Sequence, residues 1–217
     1  MSVSITFNAS NGTELTQTDV RNIVDGQHTG GDFTAIIGSN VQQIQGYAFE
    51  GQIRPALRTN MKSVIIPKTV TQLGNGVFNN CNNLAEAEIH RYVNDDTSTP
   101  LSYTSTPPFN LCASPFTLKI HSDTYWDVTT NLGIVPTEAL LEYIIIDGTT
   151  TIAADEFKDK NLIKATIPDS VTSIGDYAFS GVNGYQYVFI ELAGIATDMW
   201  LGIDDIEIFD TQGNKVS

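Results

Sequence analysis

A mainly β solenoid of stacked short repeats, one strand in each, is the fold this sequence predicts, and three observations predict it. An apolar frame recurs four times, as IIGSNVQQIQGYAF (36–49), IIPKTVTQLGNGVF (65–78), IIDGTTTIAADEF (145–157) and IPDSVTSIGDYAF (167–179). In each copy an aliphatic residue, Ile44, Leu73, Ile152 or Ile174, stands five positions before a closing Phe49, Phe78, Phe157 or Phe179. The equivalent aliphatic positions are 29, 79 and 22 residues apart, so a unit of 22 to 29 residues repeats and the long gap holds an insert. Repetition at that period means stacked units that bury one another's apolar faces.

The chain divides at residues 32, 93, 139 and 180. An open solenoid needs atypical ends to cover its apolar faces, and residues 1–32 suit a cap. Ser4 to Asn8 alternates as a strand, and TQTDVRNIVDG reads as a short helix opened by Thr16 with Asp19 three positions later. Residues 33–93 hold the first two repeats. There the β-branched Val64, Ile65 and Ile66 favour an extended strand, and Pro67 removes a ladder donor and ends the pairing. Val70 and Leu73 point inward across a turn, Gly74 supplies a permissive bend, and the closing Phe fills the space between coils.

Residues 94–139 lose the frame, begin polar and Pro-bearing, and read as a capping-like insert. Residues 140–180 restart with a strand over Leu140 to Ile146 and carry the last two repeats, bent at Gly175. A single bent solenoid is expected in preference to two lobes. Residues 181–217 contain two strand signals, GYQYVFIELAG and WLGIDDIEIFD, joined near Ala196 to Met199. They predict a C-terminal β-hairpin or a pair of sheet strands.

In detail the frame resembles the BspA-type bacterial leucine-rich repeat, Leu-x-x-Ile-x-Ile-Pro-x-x-Val-x-x-Ile-Gly-x-x-Ala-Phe-x-x-Cys-x-x-Leu. Ile167, Pro168, Val171, Ile174, Gly175, Ala178 and Phe179 occupy its fixed sites in the last repeat. Ile66, Pro67, Val70, Leu73, Gly74, Phe78, Cys81 and Leu84 do so in the second, with Val77 where Ala is usual. The first copy has Gly38 for Pro and Gln45 for Gly, and the third has Asp147 for Pro and Thr149 for Val. The resemblance covers roughly residues 33–180. It implies a right-handed leucine-rich-repeat solenoid, a packing role for Cys81, and a cell-surface or extracellular setting like that of the family's bacterial members. In 94–139 it implies the end of an array: a Pro107-Pro108 turn, a strand from Phe116 to Ile120 and a helix with Tyr125-Trp126, capped by Ser122 or Asp123.

Charge and composition narrow the function. A net charge of −14, from 25 acidic against 11 basic residues, opposes binding to phosphate backbones and anionic lipid, so nucleic acid and membrane insertion are poor expectations. The opening MSVSITFNAS shows no basic n-region and no continuous apolar run, so no signal peptide is visible, which keeps a virion protein beside a surface protein as an expectation. Two cysteines, Cys81 and Cys112, make no disulfide scaffold, although a bridge between them remains open. His28, His90 and His121 are too scattered in sequence to read as a metal set, and no nucleophile or phosphate-loop motif occurs.

Candidate sites are therefore those of a non-enzymatic protein. Tyr103, Phe109, Trp126 and Trp200 are aromatics of the kind enriched at binding hot spots, against the alternative that each is packing. Asp204, Asp205, Glu207 and Asp210 place four carboxylates in seven residues, a density suited to calcium, against the alternative of solvated charges guarding a strand edge. The leading expectation is a protein-interaction or structural scaffold without a cofactor, in surface adhesion or virion assembly, with a protein partner or self-assembly. The alternative is a carbohydrate-binding module using calcium at the C-terminal acidic segment.

Overall fold

The computed structural model describes residues 3–90, 106–122, 139–160, 162–182, 189–192, 208–209 and 215–216. In chain order these form β1 (Val3–Phe7), β2 (Glu14–Leu15), α1 (Gln17–Gln27), β3 (Phe33–Ile37), β4 (Gln43–Ile44), α2 (Pro55–Thr59), β5 (Met61–Ile66) and β6 (Gln72–Leu73). There follow β7 (Glu86–His90), β8 (Phe116–Ser122), β9 (Ala139–Ile145), β10 (Thr151–Ile152), β11 (Leu162–Ile167), β12 (Ser173–Ile174), β13 (Phe189–Leu192), β14 (Ile208–Phe209) and β15 (Lys215–Val216).

One parallel sheet runs through the molecule in the order β1-β3-β5-β7-β8-β9-β11-β13. Its strands follow chain order, as coils wound one on the next require, and β8 pairs with β9 over seven register positions. The two pairs of repeats therefore belong to one continuous solenoid. Each framed coil also adds a second, two-residue strand: Gln43–Ile44 pairs between Glu14–Leu15 and Gln72–Leu73, and Thr151–Ile152 pairs with Ser173–Ile174. The sheet strand expected in each repeat is thus joined, in the framed coils, by a second and shorter one. The aliphatic positions Ile44, Leu73 and Ile152 are buried in these short ladders, and Ile174 packs partly buried beside them.

The closing phenylalanines stack ring on ring through the interior. Phe7, Phe49, Phe78, Phe109 and Phe116 follow one another at centroid distances of 4.8, 5.0, 5.2 and 5.1 Å. Tyr143, Phe157 and Phe179 form a second run at 5.0 and 5.1 Å. Aromatic pairs at such separations add stabilisation beyond the area they bury, about 0.5–1.5 kcal/mol each.

Phe109 belongs to this ladder, and that corrects two expectations. It is 8% exposed, so its ring serves packing and offers no surface to a partner. Residues 106–122, assigned by sequence to a capping insert, run as a further coil: Gly76, Phe78 and Asn80 donate their backbone N–H groups to the carbonyls of Thr106, Pro108 and Asn110 at 3.0, 2.8 and 3.1 Å. Asn110 Nδ2 donates to Asn79 Oδ1 at 2.7 Å, and Asn79 Nδ2 donates to Glu50 Oε1 at 3.1 Å. Ser122 is a buried residue of β8 in register with Ile145, so it is a strand residue; a helix beyond it lies outside the described residues.

Both cysteines are free, and each thiol points at the coil before it. Cys81 Sγ donates to the Phe49 carbonyl at 2.9 Å and Cys112 Sγ to the Phe78 carbonyl at 3.4 Å. Burial pushes the Cys112 thiol up to about 12 and the Cys81 thiol well above its ordinary value, so both remain protonated packing groups.

Gly74 and Gly175 serve a purpose other than the bend expected of them. A Cβ on Gly74 would lie 2.1 Å from the Gly46 backbone nitrogen, and one on Gly175 would lie 2.3 Å from that of Ala154. These glycines let adjacent coils approach backbone to backbone, where Gly74 donates to the Ile44 carbonyl and Gly175 to that of Ile152, both at 2.8 Å. The left-handed backbone falls elsewhere, two residues before the Phe at Tyr47, Gly76, Asp155 and Tyr177, and two after it at Asn80, Leu111, Asp159 and Gly181.

The N-terminal cap is built from local chemistry. Asp19 N donates to Thr16 Oγ1 at 3.1 Å while the Asp19 carboxylate accepts from Thr16 N at 2.9 Å, a capping box that opens α1 and satisfies two orphan donors. Val20 and Val24 then bury the inner side of α1, and β1 pairs in parallel with β3 as the first rung of the sheet. At the other end, the strand 189–192 joins β11 in parallel, and the antiparallel pair is formed by 208–209 with 215–216. Among the described residues, the two C-terminal strand signals thus do not pair with each other as a hairpin. The parallel edge of β11 takes the first of them.

Candidate functional site

Strict alternation along the strands separates the two faces of the large sheet. Ala87, Ile89, Leu118, Ile120, Leu141 and Tyr143 turn into the core, and the residues between them turn outward and stay half-buried between neighbouring strands. Register then fixes three rows on the outer face. One row holds Thr34, Ser63, Glu86, Thr117 and Leu140; the next Ile36, Ile65, Glu88, Lys119, Glu142 and Lys164; the third His90, His121, Ile144 and Thr166. The β3 and β5 ends of these rows are polar or aliphatic, and all their ionisable side chains except Lys164 of β11 lie on β7, β8 and β9.

Within that group Lys119 Nζ pairs with Glu86 Oε2 at 2.8 Å. Burial works to lower the Lys119 ammonium, but Glu86, with Glu142 and Glu88 adding, overcomes it and holds the group above its ordinary value. Beside it, Glu88 Oε1 receives both imidazoles: His90 Nε2 and His121 Nε2 each lie 2.8 Å away. The rings stack at a centroid distance of 4.2 Å and an interplanar angle of 22°. One nitrogen from each ring and one oxygen of Glu88 all fall within 4.8 Å of one another.

His121 Nε2 is the less satisfied of the two nitrogens. It is sealed from solvent, and despite its short distance to Glu88 it finds no aligned hydrogen bond. Burial pushes the His121 imidazole below its ordinary value, and the adjacent His90 adds to this while Glu88 pulls it back. His121 is therefore neutral at pH 7, with one ring nitrogen carrying a lone pair.

The histidines read from sequence as too scattered for a metal set, and the structure brings two of the three together. His90 and His121 are 31 residues apart, one coil length, and the β7–β8 register sets them side by side. His28 stays apart, its Nε2–H donating to the Gly31 carbonyl at 3.0 Å, with its ring against Phe33. The signal that finds the pair is the constant offset of 31 that also relates Phe78 to Phe109, Asn79 to Asn110 and Cys81 to Cys112. Tyr103, Trp126 and Trp200, and the carboxylates Asp204, Asp205, Glu207 and Asp210, lie outside the described residues.

Among the described residues no helix is long and apolar enough to cross a membrane. No curated protein matches the chain. A leucine-rich cell surface protein from Faecalibacterium prausnitzii A2-165, known from a crystal structure, is similar at 20% identity over 76% of this chain and 49% of that one, with a TM-score of 0.28. This chain thus spans about half the length of that protein. The model of the BspA-type leucine-rich repeat region matches six copies over residues 32–113 and 140–197, well over half of the sequence. The chain belongs to the BspA-type leucine-rich repeat family.

Proposed function

We propose that this leucine-rich-repeat scaffold is non-enzymatic and presents the outer face of its eight-stranded sheet to another protein, in adhesion at a cell surface. One observation carries the reading: inward positions are consumed by stacking, and the ionisable side chains of the sheet concentrate on the outer face of three adjacent strands, as Glu86, Glu88, His90, Lys119, His121 and Glu142. Their ordering is supplied by the sheet, so a partner meets a surface whose side-chain entropy is already partly spent. The flanking Ile36, Ile65, Leu140 and Ile144 give this polar centre aliphatic borders. That is a mixed surface of the kind protein interfaces use.

The test places a photo-crosslinking residue in the full chain at Thr117 on the outer face, or at Thr172 on the turn that follows β11. Crosslinks to a surface protein of intact cells from position 117 and not from 172 are expected. Equal crosslinking from both, or from neither, would overturn the reading. Light scattering on the same protein separates a further outcome: a homo-oligomer crosslinked through position 117 would assign the face to self-assembly, as in a virion component.

A further inference from the structure

We propose that Glu88, His90 and His121 form a binding site for one divalent transition-metal ion of the zinc class. The inference stands on the side chains themselves and does not depend on which partner the scaffold meets. Two imidazole nitrogens and one carboxylate oxygen are the donor set that borderline-soft cations prefer. Calcium is a poor occupant, because it takes six to eight oxygens and this cluster offers one carboxylate.

The geometry is close to what an ion requires. Metal bonds of about 2.0–2.1 Å in a tetrahedral shell set neighbouring donor atoms about 3.3 Å apart. Here each Nε2 lies 2.8 Å from Glu88 Oε1 and the donors all lie within 4.8 Å of one another, so to surround an ion the two short pairs open by about 0.5 Å and the imidazoles close by at most about 1.5 Å, movements within reach of side-chain rotation. Strand register supplies the preorganisation. Glu88 and His90 are two residues apart on one face of β7, and His121 is held opposite His90 by β8. At the buried His121 Nε2 an ion would replace a poorly aligned contact with Glu88 by a bond. Three protein ligands leave the fourth tetrahedral position for water or for a side chain of a bound protein.

The surrounding charges act in both directions. Lys119 on β8 opposes a cation but is tied to Glu86 of β7 at 2.8 Å. Glu142 of β9 stands opposite Lys119 and favours one, while Ile144, opposite His121, is neutral. A bound ion needs a lone pair on each Nε2, so any remaining ring proton sits on Nδ1, and a protonated imidazole must first release its proton. Affinity is therefore expected to fall as pH is lowered from 7.5 to 5.5.

The test is calorimetric titration of the full chain with zinc chloride at pH 7.5, repeated with cobalt(II) to read the visible absorption of a tetrahedral ion. Loss of mere outer-shell partners already costs about 10- to 100-fold in metal affinity, so His90→Gln and His121→Gln should each weaken zinc by at least about tenfold. His28→Gln should leave it unchanged. In the unsubstituted protein, which avoids any question of folding, the ring nitrogen resonances of His90 and His121 should shift on zinc addition and those of His28 should not. Failure to take up zinc, uptake unaltered in both glutamine variants, or ring shifts absent from His90 and His121 would each overturn the site.

Discussion

Two successive coils, residues 76–90 and residues 106–121, share an interior and differ in almost everything outside it. Both carry Phe, Asn, Cys and His at matching places, as Phe78, Asn79, Cys81 and His90 against Phe109, Asn110, Cys112 and His121. Both thiols donate to the phenylalanine carbonyl of the coil before, and the two phenyl rings lie 5.2 Å apart and parallel to within 3°. Yet the first coil follows a complete Ile-Pro-x-x-Val-x-x-Leu-Gly frame, and the second follows none. Entry into the stack is thus decided by what fills the space between coils. The ring, the small buried thiol and the strand suffice.

If both rings fill equivalent space, removing either should be costly, and this is the largest effect expected. Phe78→Ala deletes a fully buried ring with rings on both sides and should destabilise by about 3–5 kcal/mol, measured by equilibrium unfolding in urea. Phe109→Ala should fall at the lower end of that range, because its ring is stacked on Phe78 and Phe116 but is slightly exposed. A Phe109→Ala cost within about 0.5 kcal/mol of zero, the range of ordinary surface substitutions, would break the equivalence and return this coil to the status of an insert.

A smaller effect belongs to the coils that carry the frame's glycine, at Gly74 and Gly175. Gly74→Ala drives a Cβ into the Gly46 backbone at 2.1 Å, and backbone cannot rotate aside as a side chain can. Destabilisation of about 1–3 kcal/mol is expected, by the cost of overpacking. Gly12→Ala is the control for glycine loss without collision, since nothing lies within 4 Å of its Cβ. Its φ of +72° still strains an alanine, so the informative result is Gly74→Ala proving the more costly of the two.

The matching histidines give a pH signature. The His121 imidazole is depressed below 6.5 in the folded chain, first by burial and then by His90, so between its folded value and 6.5 the unfolded state binds more protons. Its contribution to stability is present above pH 6.5 and is lost as pH falls through the depressed value. Unfolding free energies at pH 7.5 and 5.5, in metal-free buffer, should therefore differ more in the unsubstituted protein than in His121→Gln. Equal differences would place the pH dependence on other groups.

The same pair of coils shows why part of the fold was legible and part was not. The strands over 61–66 and 162–167 end where Pro67 and Pro168 remove a ladder donor, and the capping box at Thr16 and Asp19 is local chemistry, so both are read directly from neighbouring residues. The coil at 106–121 escaped because a polar Thr104 stands five residues before Phe109, where the frame expects an aliphatic side chain. The two-residue strands escaped for lack of length. The Glu88, His90 and His121 cluster escaped because its convergence is set by coil length, a property of the stack and not of any local run.

The smallest expected effect lies at a position where the two coils are conformationally alike and chemically different. Asn80 and Leu111 both adopt left-handed backbone, with φ of 59° and 56°. Asparagine visits that region readily through its short polar side chain, whereas leucine brings its Cβ against the following carbonyl oxygen. Leu111 is also 59% exposed, so its side chain recovers little by burial. Leu111→Asn should therefore stabilise the chain, by about 0.5–1 kcal/mol, a part of the left-handed penalty. Leu111→Gly removes the whole steric penalty but gives back some of the gain through the greater freedom of the unfolded chain, so it should match or fall short of the asparagine variant. A loss of stability in both variants would show that the exposed leucine makes a contact across the coil edge that outweighs the backbone strain, and the two coils would then differ in their packing as well as in their sequence.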